Sequence, residues 1–171
     1  MPLKTHTAGD MMKIIPDSFQ ILFLGKTLRL FCLCFLFSSS HVNAQLEFLS
    51  VNENAVVMYD APSLKADKLF VVGLHFPVEA IVHVEGWVKV RDSSGSLAWI
   101  EKKFLSDQKY VIVTTAVADV HQSTDIYSPV VFQVVENVIL EWLDSDTDGW
   151  VKVRHKNGNS GFVRTNQVWG S

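Results

Sequence analysis

The hexapeptide Gly-Trp-Val-Lys-Val-Arg occurs twice, at Gly86–Arg91 and Gly149–Arg154, an offset of 63 residues. Its surroundings keep that offset: Gly95 corresponds to Gly158, Trp99 to Phe162 and Ile100 to Val163. Upstream, Lys68-Leu69-Phe70-Val71-Val72 parallels Pro129-Val130-Val131-Phe132-Gln133 with a small slip. Identity over the hexapeptide together with aligned flanks defines two copies of one supersecondary unit. Any fold assigned to the first copy must also serve the second.

Each copy reads as short strands. In the first, Ala55–Tyr59, Leu69–Val72, Val78–Val84, Trp87–Arg91 and Leu97–Ile100 are rich in Val, Ile and aromatics. Turn-forming residues separate them: Asp60-Ala61-Pro62-Ser63, Phe76-Pro77, Glu85-Gly86 and Asp92-Ser93-Ser94-Gly95. The second copy gives Ala116–Val120, Val130–Val135, Val138–Leu143, Trp150–Arg154 and Gly161–Arg164. No helical periodicity is sustained after residue 44. Five short strands in about 60 residues suit a small, strongly bent barrel better than a sandwich. The expected class is all-β, with two tandem barrels behind a helical N-terminal segment.

Residues 1–44 stand apart. Lys26 and Arg29 precede the apolar run Leu30–Phe37, followed by Ser38-Ser39-Ser40 and the small-residue pattern Val42-Asn43-Ala44. This order reads as a secretory signal peptide cut before Gln45, with Met11 or Met12 as alternative starts. A membrane anchor is the rival reading, but a bilayer needs about 20 apolar residues in a helix and this run is shorter. Cys32 and Cys34 lack the small preceding residues that lipid attachment requires.

The expected location is therefore exported, periplasmic or secreted, with membrane contact only through an uncleaved signal segment. Expected domains are 1–44 (signal peptide), 45–107 and 108–171.

Both cysteines fall within the export segment, so residues 45–171 offer no disulfide, thiol nucleophile or thiolate metal site. Those residues keep 11 of the 15 Lys and Arg and 16 of the 18 Asp and Glu, a net charge of −5. An acidic surface gives no counterion-release drive toward nucleic acid.

Alternation along GWVKVR puts Val88 and Val90 on one face and Trp87, Lys89 and Arg91 on the other. Val151 and Val153 likewise oppose Trp150, Lys152 and Arg154. The valines are core candidates, joined by Ile100 and Val163. Each tryptophan shares a half-wet face with the aliphatic stems of two cations.

The run of a Pro-Ser turn, a Val-rich strand, Gly-Trp-x-Lys-Val-Arg, a polar Gly turn and Trp/Phe-Ile/Val resembles the bacterial SH3-like (SH3b) domain. Two copies cover nearly all of residues 45–171. The family's Asn-x-Arg-x-Gly-Pro-Ser is replaced by Met58-Tyr59-Asp60-Ala61-Pro62-Ser63 and by Val120-His121-Gln122-Ser123-Thr124, neither with the arginine.

By analogy with the aromatic groove of eukaryotic SH3 domains, the resemblance implies ligand-binding positions at Tyr59, Trp87 and Trp99 in copy one. In copy two they are His121, Trp150 and Phe162. The structural alternative is that Trp87, Trp99, Trp150 and Phe162 pack the barrels together or cover their ends. The implied function is a non-catalytic exported module that recognises peptidoglycan or a wall or envelope peptide. The rival is a scaffold that binds another envelope protein through aromatic grooves or strand edges.

Catalytic motifs are lacking. No serine occupies a Gly-x-Ser-x-Gly turn, and no Gly-rich loop precedes a helix. His75, His83, His121 and His155 are isolated, without metal-ligand spacing. Asp144, Asp146, Asp148 and Gly149 imitate the opening of a calcium loop, but the position of its closing glutamate holds His155. Copy one connects the equivalent strands without these acids. No enzyme activity, cofactor or metal is expected.

Overall fold

The computed structural model describes residues 46–145 and 148–170, the Ser145 side chain aside. The expected signal peptide with its expected cleavage point, and Asp146, lie outside these residues. Among the described residues, no helix is long and apolar enough to cross a membrane.

The described chain forms two antiparallel sheets of seven strands each. The first contains β1 (Glu47–Val51), β2 (Val56–Tyr59), β3 (Lys68–Val72), β4 (Pro77–Val84), β5 (Trp87–Arg91), β6 (Leu97–Glu101) and β7 (Leu105–Ser106). The second contains β8 (Tyr110–Val113), β9 (Val117–His121), β10 (Val130–Val135), β11 (Ile139–Ser145), β12 (Trp150–Arg154), β13 (Ser160–Arg164) and β14 (Val168–Trp169). Their orders are the same, β3-β2-β6-β5-β4-β1-β7 and β10-β9-β13-β12-β11-β8-β14. The repeat in sequence is therefore a repeat in topology, and the all-β, SH3-like architecture is present twice.

Five strands of each barrel lie where the sequence places them, within a residue or two. The outer strands β1, β7, β8 and β14 are additions. Strands β7 and β14 have two residues each, too few for a period to show. Strand β8 is buried along its whole length, so it lacks the alternation that marks a half-exposed strand. Strand β11 also runs beyond its expected end, and Asp144 sits in it opposite Lys152. The aspartate run thus begins inside a paired strand rather than in the loop.

The hairpin that carries the hexapeptide is built alike in both copies. It turns at Gly86 and Gly149, whose φ values of 74° and 78° lie in the left-handed region that favours glycine. Its pairing register shifts between Ala80 and Val82 in copy one and between Trp142 and Asp144 in copy two. Such bulges increase local twist and help a short sheet curl closed. The curl encloses Val88, Val90 and Ile100 in one core and Val151, Val153 and Val163 in the other, all fully buried.

The two barrels touch through residues outside the repeated hexapeptide. Phe48 meets Trp169 edge-on, with ring centroids 5.2 Å apart. His75 stacks on Tyr110 at 4.0 Å. The Ser50 hydroxyl donates to the Gln108 carbonyl. Gly170 packs so tightly against β4 that an added Cβ would lie 3.0 Å from the Pro77 Cβ. These contacts build the junction that sequence reasoning had offered as a possible role for Trp87, Trp99, Trp150 and Phe162.

Candidate functional site

The outward residues of β5 and β6 (and of β12 and β13) converge because alternate residues of neighbouring antiparallel strands share a face. In copy one, Lys89 pairs with Trp99 and Trp87 with Glu101, while Tyr59 on β2 pairs with Trp99 from the other side. Tyr59 and Trp87 meet edge to face, with centroids 5.5 Å apart and planes at 86°. The Lys89 ammonium lies 5.9 Å from the Trp99 ring centroid. Tyr59, Trp87 and Trp99 thus form one continuous aromatic face. Tyr59 is its buried base, and both tryptophans are partly exposed.

Copy two assembles the equivalent set. Lys152 pairs with Phe162 and Phe162 with His121. His121 and Trp150 meet at 5.5 Å and 77°, nearly the geometry of Tyr59 on Trp87. The Lys152 ammonium is 5.7 Å from the Phe162 ring. His121 is buried, and its Nδ1 donates to the Ser128 carbonyl at 3.1 Å. That bond holds the imidazole in place without the phenol of its counterpart.

One expectation fails here. Trp150, placed by alternation on a half-wet face, is 1% exposed. Arg164, the residue that pairs across from it, lays its guanidinium carbon 4.1 Å from the Trp150 ring centroid. Alternation assigns a side chain to a face but says nothing of what covers that face.

Beside this face each copy carries a carboxylate–arginine pair. Arg91 donates from Nε and Nη2 to one oxygen of Glu79, at 2.8 and 2.6 Å. Glu79 is 4% exposed, so Arg91 is the charge that makes its burial tolerable. In copy two, Arg154 donates to Glu141 at 3.3 Å in a more open setting. Glu141 also pairs across from Tyr110. Burial pushes the Tyr110 phenol above its usual pKa, and the Glu141 carboxylate pushes it further, against a hydrogen bond with Gln108 that lowers it.

Sequence reasoning missed Glu101, Arg164, His75 and Tyr110. For the first two, the alignment of the repeats held the signal, since 101 and 164 are equivalent positions with opposite charge. His75 and Tyr110 left no such trace. Among the described residues, no group of three or more His, Cys, Asp or Glu could hold a metal ion.

A family model described as bacterial SH3 domain matches this chain over residues 52–107 and 127–170. Among solved structures, NlpC2 from Trichomonas vaginalis is 15% identical, over 74% of this chain and 49% of its own, with a TM-score of 0.35. NlpC1 from the same organism is 16% identical, over 80% and 50%, with a TM-score of 0.34. An NlpC/P60 family protein from Bacillus cereus is 17% identical, over 71% and 55%, at 0.32. The chain spans about half the length of these structures. No curated protein matches it.

Proposed function

The chain belongs to the bacterial SH3 domain family, and from that premise we propose that it is an exported, non-catalytic binding module of the cell envelope that recognises peptidoglycan or a wall peptide. The observation that carries this reading is the joined face of Tyr59, Trp87 and Trp99, with both tryptophans partly open to solvent. Aromatic faces of this kind gain from apolar contact and still tolerate polar neighbours, which suits a peptide or a glycan-linked peptide. Retention on purified sacculi at low salt tests the proposal. Wild type is retained, and Trp87→Ala with Trp99→Ala is released while still melting cooperatively. Failure of the folded wild type to be retained overturns the wall reading.

A second reading has its own observation. The edge strands β3 and β10 expose Leu69, Phe70 and Val71, and Val130, Val131 and Val135. An exposed apolar edge is a template for strand addition by another protein. Under this reading the chain is an envelope scaffold. Val71→Lys and Val131→Lys then abolish capture of a protein partner from envelope extracts, whereas substitution of Trp87 leaves capture intact.

A further inference from the structure

Two faces built to one plan differ in the charge of the residue that pairs across from the hexapeptide tryptophan. Across from Trp87 stands Glu101, and across from Trp150 stands Arg164. The π-face of an aromatic ring carries partial negative charge, so a guanidinium settles on it and a carboxylate does not. The structure follows that rule on both sides. Arg164 lies over Trp150 at 4.1 Å and the ring is 1% exposed. Glu101 instead binds the Lys103 ammonium at 2.8 Å, and part of Trp87 stays open.

Resting on the aromatic-face reading above, we propose that copy one binds a cationic group, a primary ammonium or guanidinium carried by a peptide, where copy two places its own Arg164. The second barrel therefore shows, within one chain, both the occupied state of the site and the chemistry of its occupant. In copy one Trp87 supplies the ring face, Glu101 the countercharge, and Tyr59 and Trp99 the flanking surface. Copy two is closed by its own side chain.

The other nearby cations do not account for the difference. Lys89 over Trp99 and Lys152 over Phe162 are common to both copies. Lys103 is 63% exposed and Glu101 19%, so the lysine end of the pair is solvent-screened and an incoming cation can take its place on the more covered carboxylate.

The test is a nuclear magnetic resonance titration of the full chain with acetyl-Ala-Lys-Ala-amide and with its Nε-acetylated form. The lysine peptide is expected to shift the Trp87 and Trp99 indole N–H signals and to leave Trp150 unmoved. The neutral form should bind at least about tenfold more weakly, the change expected when the charge is lost from such a contact. Glu101→Arg closes copy one and abolishes the response, and Glu101→Gln weakens it. Both should fold, because copy two already carries arginine at this position. Arg164→Glu opens copy two, and Trp150 then responds.

Equal binding of the charged and neutral peptides, an unchanged response in Glu101→Arg, or movement of Trp150 in the wild type would each overturn the proposal. Retention on sacculi with no response to the lysine peptide sinks this inference alone. Lysine binding without retention on sacculi sinks the wall reading and leaves this one standing.

Discussion

His75 and Tyr110 lie face to face across the junction of the two barrels, their ring centroids 4.0 Å apart and their planes inclined by 10°. His75 holds a left-handed backbone at φ 69°, where the second copy has Asn137 at φ 67°. Both close the same turn, His75 donating its amide to the Val51 carbonyl and Asn137 to that of Val113. Asparagine and histidine both adopt this conformation more readily than most residues, and the histidine adds a ring that reaches the other barrel.

His75→Asn therefore separates the two roles, since it keeps the turn and deletes the stack. The expected loss is about 0.5–1.5 kcal/mol in denaturant unfolding, the range for a stacked aromatic pair. Combined with Trp169→Ala, which removes the edge contact to Phe48, it should split thermal unfolding into two calorimetric steps. A single sharp transition in the double variant would show that the junction does not depend on these rings.

Tyr110 makes stability depend on alkaline pH. Its unfolded pKa is 10.0 and its folded pKa is higher, because burial and Glu141 oppose the phenolate. Above about pH 10 the unfolded chain releases this proton while the folded chain retains it. The contribution is therefore fully present below pH 10 and is lost as pH climbs through the folded pKa. Tyr110→Phe should show a shallower decline in stability above pH 10 than wild type. Parallel curves would contradict the assignment.

Glu79 and Glu141 predict unequal costs for losing their arginines. Arg91→Ala leaves the Glu79 carboxylate buried without its partner, and about 2–3 kcal/mol of stability should be lost. Arg154→Ala affects a longer and more exposed pair and should cost under about 1 kcal/mol. Urea melts of the two variants measure this contrast. Equal losses would mean that the depth of Glu79 is immaterial.

Gly161 is the glycine whose replacement the packing forbids most clearly. A Cβ there would stand 2.5 Å from the His121 carbonyl oxygen and 2.8 Å from a Val120 methyl. Ala98 holds the equivalent position in copy one and is accommodated as a buried residue. Gly161→Ala is expected to cost about 1–3 kcal/mol and to disturb the His121–Trp150 contact, whereas Ala98→Gly opens a small void. An undiminished melting temperature for Gly161→Ala would show that β9 and β13 can part without cost.

The chain's local pattern carried most of the fold and part of the site. Val88 and Val90 could be assigned to the core from alternation alone, because the side chains of a strand change face at every residue whatever its neighbours are. The Gly86 and Gly149 turns and the two copies follow from the same local rules together with the repeat, whereas the grouping of Tyr59, Trp87 and Trp99 was implied by the resemblance to SH3 domains. What covers an outward residue is a different kind of fact. Trp87 and Trp150 stand in identical hexapeptides, yet one is partly open and the other sealed, because pairing register brings Glu101 to the first and Arg164 to the second. His75 meets Tyr110 only because two barrels dock. Strand identity is set by neighbours in sequence, while exposure and charge environment are set by residues that folding alone brings together.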